Sequence, residues 1–355
     1  MDINSVYRER KSKRQKLIVD VTSDSVTFTV PDYAKTGKVH VFQNIKFHPI
    51  KYTTNKKIWT NIKYLGIYIK IKYKHNKEEI MNFVELCQER FELTKSILCV
   101  GLDPVLEKFP FKKDCIEETI VTYFSEILNN FHKYIFAVKP NIAFYEQYGI
   151  EGLIALSKVI EVAKGLKIPV ILDAKRGDIG NTASAYAKAS FVELKADSVT
   201  LSPYLGEDSL SPFFEYKDKG FFILARTSNK GSSDFQLLTL EKGEKLYINV
   251  TKKIAEWNKK YSSGIGAVAG ATHIDELKTI VKIFSDNDCP PLLIPGVGTQ
   301  GGDLKSIVQV LKEFNYPLHK VFINNSSKIT YGFLEKTESH YLDTVESEIK
   351  KMMIY

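Results

Sequence analysis

Two carboxylates bracket a lysine in the segment Asp173-Ala174-Lys175-Arg176-Gly177-Asp178, directly after the apolar run Ile168 to Leu172. An acid, a base and a second acid at the end of a buried strand are the parts of a proton-transfer site. Side chains alternate along a strand, so Asp173 and Lys175 share a face, while Asp178 has to arrive from the following loop or from another subunit. Two earlier apolar runs end in the same kind of residue, the first in Asp103 and the second in Lys139 and Asn141. Brought together, Lys139, Asp173, Lys175 and Asp178 alternate in charge. Each lysine then lowers the cost of ionising an aspartate, and each aspartate keeps a lysine protonated. Unrelated surface ion pairs would be worth only about 0 to 1 kcal/mol each. It is the recurrence at three consecutive strand ends that points to catalysis.

A second constellation lies far along the chain, in Pro295-Gly296-Val297-Gly298-Thr299-Gln300-Gly301-Gly302-Asp303. Glycines allow successive backbone N–H groups to turn towards an anion, so this is a phosphate-binding signal, although a strand-to-helix turn can be glycine-rich for other reasons.

Such residues need a scaffold that gathers distant strand ends. From residue 96 onward, short apolar runs recur at Ser96–Asp103, Ile135–Asn141, Val170–Lys175, Ser198–Pro203, Phe221–Arg226, Ile265–Gly270, Pro291–Gly296 and Lys320–Asn325. Their nearly continuous Val, Ile, Leu and Phe content suits strands covered on both faces. Amphipathic stretches between them, such as Glu117–His132 and Leu304–Phe314, suit crossover helices. Eight such units predict an α/β fold, a (β/α)8 TIM barrel over about residues 78–345, whose C-terminal strand ends converge on one site and whose loops after strands seven and eight hold phosphate. A doubly wound open sheet is the alternative. Met81–Leu93 reads as a helix capping the barrel bottom.

Residues 1–77 do not continue this rhythm and read as a basic, poorly defined extension. The chain carries a net charge of +8, which suggests nucleic acid until it is divided. Residues 1–80 hold 17 Lys and Arg against 7 Asp and Glu, leaving 33 against 35 for the remainder. The body is nearly neutral, and no nucleic-acid partner is expected of it. The run Arg8–Lys16 suits a solvated basic arm. Val26–Val30 and Ile67–Tyr73 have strand-like composition, yet Lys56–Lys77 is 17 of 22 Lys, Ile, Tyr or Asn, as in translated non-coding sequence or a weakly constrained insert. The longest apolar stretches are far shorter than the roughly 20 residues a membrane helix needs. Four scattered cysteines without a C-x-x-C pair, Cys87 and Cys99 in buried-type patterns, fit a reducing, cytoplasmic setting. The seven histidines show no metal-ligand spacing, so no metal is expected.

The stretches Cys99-Val100-Gly101-Leu102-Asp103-Pro104, Lys139-Pro140-Asn141 with Phe144-Tyr145-Glu146, Leu172 through Thr182, and Pro295-Gly296-Val297-Gly298 resemble orotidine 5′-phosphate decarboxylases. The likeness spans roughly residues 80–340, and its D-x-K-x-x-D-I-G-N-T run is highly specific. It implies loss of CO2 from orotidine 5′-monophosphate to give uridine 5′-monophosphate, without metal or organic cofactor, in a homodimer with shared sites. Carried over, Lys175 protonates C6 of the pyrimidine, Asp173 lies beside the scissile carboxylate, and Lys139 orients Asp173. Asp103 and Asn141 lie at the ribose, and Asp178, Ile179 and Thr182 reach into the neighbouring subunit's site. Thr227 and Ser228 begin a polar loop after strand five that suits a lid, with Ser228 reading the pyrimidine edge. Pro295, Gly298 and Gln300, with Ser326, Ser327 and Lys328 after strand eight, complete the substrate-binding set.

One departure stands out: where the family commonly places an arginine for the phosphate, Ser327 aligns, with Lys328 beside it. A lysine lacks the bidentate fork of arginine, so weaker phosphate binding is expected. Related sugar-phosphate decarboxylase barrels also carry D-x-K-x-x-D and use Mg²⁺, but Lys139 would repel a divalent cation here. An RNA-binding role through the basic arm is the non-enzymatic rival. Association with a separate orotate phosphoribosyltransferase is a partner the resemblance leaves open.

Overall fold

The computed structural model describes residues 81–353 apart from 262–263, 298–300 and 336–339, together with six short strands between residues 18 and 73. The chain divides into two compact units, Met1–Glu79 and Ile80–Tyr355.

In the second unit every one of the eight apolar runs forms a strand: β1 (Leu98–Gly101), β2 (Ala137–Lys139), β3 (Ile171–Arg176), β4 (Ser198–Leu201), β5 (Gly220–Arg226), β6 (Gly264–Ala269), β7 (Leu292–Pro295) and β8 (Val321–Asn325). They are parallel and hydrogen-bonded in the order β2-β1-β8-β7-β6-β5-β4-β3. Isolated bridges Val138 to Val170 and Asn141 to Asp173 join the two ends of that order. At this seam Val138 N–H donates to the Pro169 carbonyl and Asp173 N–H to the Pro140 carbonyl, each at 2.9 Å. Pro140 and Pro169 have no N–H to return, so the ladder cannot be continuous there. The result is the (β/α)8 barrel, with its last join made beside the residues of greatest chemical interest.

Every residue of β1, β2, β4, β6 and β8 is buried, as strands covered on both faces require. The covering helices include α1 (Phe83–Thr94), α2 (Ile116–Phe131), α3 (Gly149–Gly165), α4 (Gly180–Lys188), α5 (Glu207–Phe214), α6 (Leu246–Tyr261), α7 (Ile274–Ser285), α8 (Leu304–Glu313) and α9 (Tyr341–Lys351). α2 and α8 lie within a residue of the stretches expected for them.

α1 closes the N-terminal end of the barrel. Asn82 and Glu85 form a capping box that fixes where it starts. Its first residue, Phe83, sits in the interior with Phe222 and Phe322, ring centroids 6.0 and 5.7 Å away. The first residues of β5 and β6 are glycines for this reason: a Cβ on Gly220 would lie 2.2 Å from the Phe83 ring, and one on Gly264 3.2 Å from it. Further along α1, buried Arg90 donates to the carbonyls of His132, Ile135 and Leu166, and burial lowers its pKa to about 10. Cys87 and Cys99 are buried in the same interior layer. Burial pushes both thiols up, that of Cys99 to about 12, which keeps them protonated.

In the first unit, Ile18–Val21, Val26–Thr29 and Val41–Phe42 form one antiparallel sheet, and Lys51–Thr54, Lys57–Tyr64 and Ile67–Tyr73 another. Both segments of strand-like composition thus fall on strands. The basic run Arg8–Lys16 lies outside the described residues.

Candidate active site

Asp173 is the centre of the site. It follows Leu172 on β3 and is buried, yet its carboxylate collects three donors: Lys139 Nζ at 2.8 Å on Oδ2, and Lys175 Nζ at 2.6 Å and Thr200 Oγ1 at 2.9 Å on Oδ1. Burial by itself would raise the pKa of Asp173, but Lys139, then Lys175, and their hydrogen bonds hold it well below the usual carboxylate range. Burial likewise opposes the charge on Lys139, and Asp173 with Asp103 outweighs it, so Lys139 is raised above the usual lysine value. The Lys139 and Asp173 side chains are 6% and 9% exposed, which removes them from the class of surface ion pairs. Lys175 differs, with 47% of its side chain exposed: one end of the charge row is locked in and the other faces open space.

The expected alternation does not explain how Lys175 meets Asp173. The register between β3 and β4 runs Ile171 to Ser198 and Leu172 to Val199, then jumps to Arg176 opposite Leu201. Asp173, Ala174 and Lys175 therefore stand opposite Thr200 alone, and Lys175 takes a left-handed φ of 47°. The lysine reaches the carboxylate across a bulge, a device that re-aims side chains next to active sites.

On the next strand ends, Asp103 is held by two donors, Asn141 N–H at 3.1 Å on Oδ1 and Ser326 Oγ at 2.8 Å on Oδ2. Its carbonyl accepts from Tyr331 OH at 2.7 Å, and Tyr331 OH accepts from Val105 N–H at 2.9 Å. The Asn141 side chain accepts from Ala143 N–H and caps a short helical turn, Ile142–Glu146. Gly101 permits Ser326 to come close, since a Cβ there would lie 2.5 Å from it. The ends of β1, β2, β3 and β8 thus share one network of oriented polar groups.

Asp178 does not join it within this chain; its Oδ1 accepts from Ile179 N–H at 2.8 Å, and neither lysine pairs with it among the described residues. Ile179 and Thr182, at the start of α4, are exposed. After β5 the polar loop is latched rather than loose. Gln236 accepts from Thr227 N–H at 2.8 Å and donates to Thr227 Oγ1 at 2.9 Å, while buried Arg226 donates to Ser232 Oγ and to the Thr227 carbonyl. Gly270 lets this loop approach β6, because a Cβ there would lie 2.8 Å from Ser228 N. In the glycine-rich loop, Gly296 and Gly301 adopt φ of 93° and 87°, where other residues are strained. Asp303 caps α8 through Lys305 and Ser306 N–H. Gly298, Thr299 and Gln300 lie outside the described residues.

Residues 96–316 match the model of the orotidine 5′-phosphate decarboxylase / HUMPS family. An orotidine 5′-phosphate decarboxylase of Herpetosiphon aurantiacus is 43% identical over 239 residues, 67% of this chain and 85% of the relative. The chain belongs to this decarboxylase family. Among solved structures, Leishmania donovani OMP decarboxylase aligns with a TM-score of 0.62 at 34% identity, covering 78% of this chain and 100% of that one. Leishmania donovani UMP synthase aligns with a TM-score of 0.64 at 35% identity over 77% of this chain, which spans only 56% of that longer protein.

After β8, Ser327 and Lys328 open a short helix, Ser327–Tyr331, with Lys328 exposed. The sequence reading missed Thr200, Gln236, Arg226 and Tyr331. Thr200 left a trace, a hydroxyl inside the otherwise apolar stretch Val199-Thr200-Leu201. Gln236 left none, since nothing in its spacing ties it to Thr227. Among the described residues no three His, Cys, Asp or Glu side chains gather as a metal site.

Proposed function

We propose that this enzyme, a carboxy-lyase, converts orotidine 5′-monophosphate to uridine 5′-monophosphate, the last step of de novo UMP synthesis, with its own charged side chains and no cofactor. The observation that carries the reading is the buried Asp173 carboxylate, held ionised by three donors, beside a lysine whose side chain is half exposed. When the C–C bond to the departing carboxylate breaks, its electron pair stays on C6 of the pyrimidine as CO2 leaves. A fixed ammonium next to C6 stabilises that pair as it develops. Lys175 Nζ then donates a proton to C6, and the neutral amine regains one from solvent. Asp173, beside the scissile group, cannot relax away, because Lys139, Lys175 and Thr200 hold it.

The remaining assignments rest on the resemblance to the decarboxylase family. Asp103 and Asn141 offer oriented oxygens to the ribose. Thr227 and Ser228 address the pyrimidine, and Pro295, Gly298, Gln300, Ser326, Ser327 and Lys328 the phosphate. Binding energy from that remote phosphate is available to raise the chemical rate. Asp178, Ile179 and Thr182 serve the site of a second copy. Exposed apolar residues Ile179, Tyr204, Leu205, Phe235 and Leu238, with Tyr204 and Phe235 paired at 6.4 Å, support such a dimer. The catalytic domain is residues 78–345 and residues 1–77 are an extension. The setting is cytoplasmic, consistent with free buried thiols; among the described residues no helix is long and apolar enough to cross a membrane. Association with an orotate phosphoribosyltransferase, the activity that would supply the substrate, is testable by co-purification.

The deciding experiment follows the absorbance of orotidine 5′-monophosphate with wild type and Lys175→Ala, each with and without chelator. Chelator-insensitive turnover is expected, lost by at least about 10³-fold in the variant. Chelator-sensitive turnover would instead favour a metal-dependent sugar-phosphate decarboxylase.

A further inference from the structure

Resting on that reading of the site, we infer that Thr200 is the positioning residue that sets Lys175 against Asp173. Thr200 sits on β4, 1% exposed, and its hydroxyl is fully used. It donates to Asp173 Oδ1 at 2.9 Å and accepts from Ala174 N–H at 3.0 Å and Lys175 N–H at 2.9 Å. A hydroxyl has one proton and two lone pairs, so no capacity is left over.

The bulge explains why a side chain does this work. Where Asp173, Ala174 and Lys175 face a single residue of β4, the β4 backbone cannot supply partners for the amides of both Ala174 and Lys175. One Thr200 oxygen serves both, and regular pairing resumes with Ser202 N–H on the Arg176 carbonyl at 2.7 Å. The same oxygen fixes the carboxylate to which the Lys175 ammonium bonds. Thr200 therefore holds the lysine from two sides, through the φ of 47° at its backbone and through the anion at its tip. Neither Lys139 nor Asp103 touches the Lys175 backbone in this way. A β-branched side chain suits the duty, because its χ1 is restricted and the oxygen is aimed at low entropic cost.

Removing only the hydroxyl isolates this role. Thr200→Val keeps the volume, and we expect kcat for orotidine 5′-monophosphate to fall about 10²-fold, as for a misplaced reacting group, with KM within about 3-fold of wild type. Thr200→Ser keeps the oxygen and is expected to retain kcat within about 3-fold, a rescue that a packing role would not give. Hydrogen exchange of the Ala174 and Lys175 amides supplies a readout independent of turnover: protection lost in Thr200→Val and kept in Thr200→Ser. Should Thr200→Val not fold, Thr200→Cys, with similar volume and weaker hydrogen bonding, is expected to show the same losses. Unchanged kcat in the hydroxyl-free variant, an equal loss in Thr200→Ser, or unchanged amide protection overturns the inference. Wild type inert towards the nucleotide, with the exchange result as expected, would sink the decarboxylase reading and leave the positioning of Lys175 by Thr200 standing.

Discussion

A buried carboxylate and a buried ammonium at 2.8 Å stabilise each other only while both are present. Asp173→Asn leaves Lys139 without its main partner, and the expected cost is about 3 to 5 kcal/mol at neutral pH, the range for breaking a buried pair. The pH dependence has a definite sign. The Asp173 pKa is depressed in the folded protein, so its contribution is complete above the unfolded value, about 3.9, and disappears as pH falls through the folded value. Urea unfolding of wild type and Asp173→Asn should therefore differ fully at pH 6, begin to converge only below about pH 4, and close as pH falls through the depressed folded value. Lys175→Ala should behave oppositely to Asp173→Asn, with a large loss of turnover and a change in unfolding free energy within about 1 kcal/mol, because the lysine is half solvated. The four charged residues were legible at this scale because charge at the end of an apolar run is costly and conspicuous. Thr200 was not, because reading β3 as a regular strand gave Lys175 and Asp173 a common face without any need for a helper.

At the scale of elements, α1 is a plug as much as a cover. Phe83→Ala removes a ring that fills the barrel end between Phe222 and Phe322, and should cost about 3 to 5 kcal/mol in thermal or urea unfolding. Gly220→Ala attacks the same contact from the strand side and should cost about 1 to 3 kcal/mol, since either the ring or β5 has to move. All eight strands and the helices α1, α2 and α8 could be read in advance, because double-sided burial writes a continuous apolar signal and one-sided burial a periodic one. The bulge in β3 and the latch on the β5 loop could not. Both depend on which residues of neighbouring strands stand opposite, and periodicity along one segment carries no such information. The loop composition suggested mobility, yet Gln236 and Arg226 supply the partners that polar loops otherwise find in water.

At the scale of the whole molecule, the proposed sharing of sites between two copies is directly testable. Sites completed across a two-fold axis make a distinctive mixing experiment possible. Lys175→Ala and Asp178→Ala should each be inactive alone, and a mixture allowed to exchange subunits should recover roughly a quarter of wild-type activity, since half the dimers are mixed and each carries one intact site. Activity that stays absent after verified exchange counts against the shared site. Strand alternation raised a second subunit as one source of Asp178, and the resemblance implied a homodimer with shared sites. The exposed residues Ile179, Tyr204 and Phe235 lie in separate segments and form no pattern along the chain. Charge was more informative: once the basic segment before residue 81 is set apart, a near-neutral body remains, as suits a metabolic enzyme better than a nucleic-acid binder.

The join between β2 and β3 ties these scales together. Two backbone bridges flanked by prolines hold it, and the Lys139–Asp173 pair spans the same gap from above. The pair is thus a clasp on the cylinder as well as part of the reaction centre. Variants that disarm the chemistry by deleting either charge will also loosen the wall, so their exchange-protected amides should fray first along this edge, ahead of the β5 and β6 side. Selection on turnover and selection on integrity then act on the same two side chains.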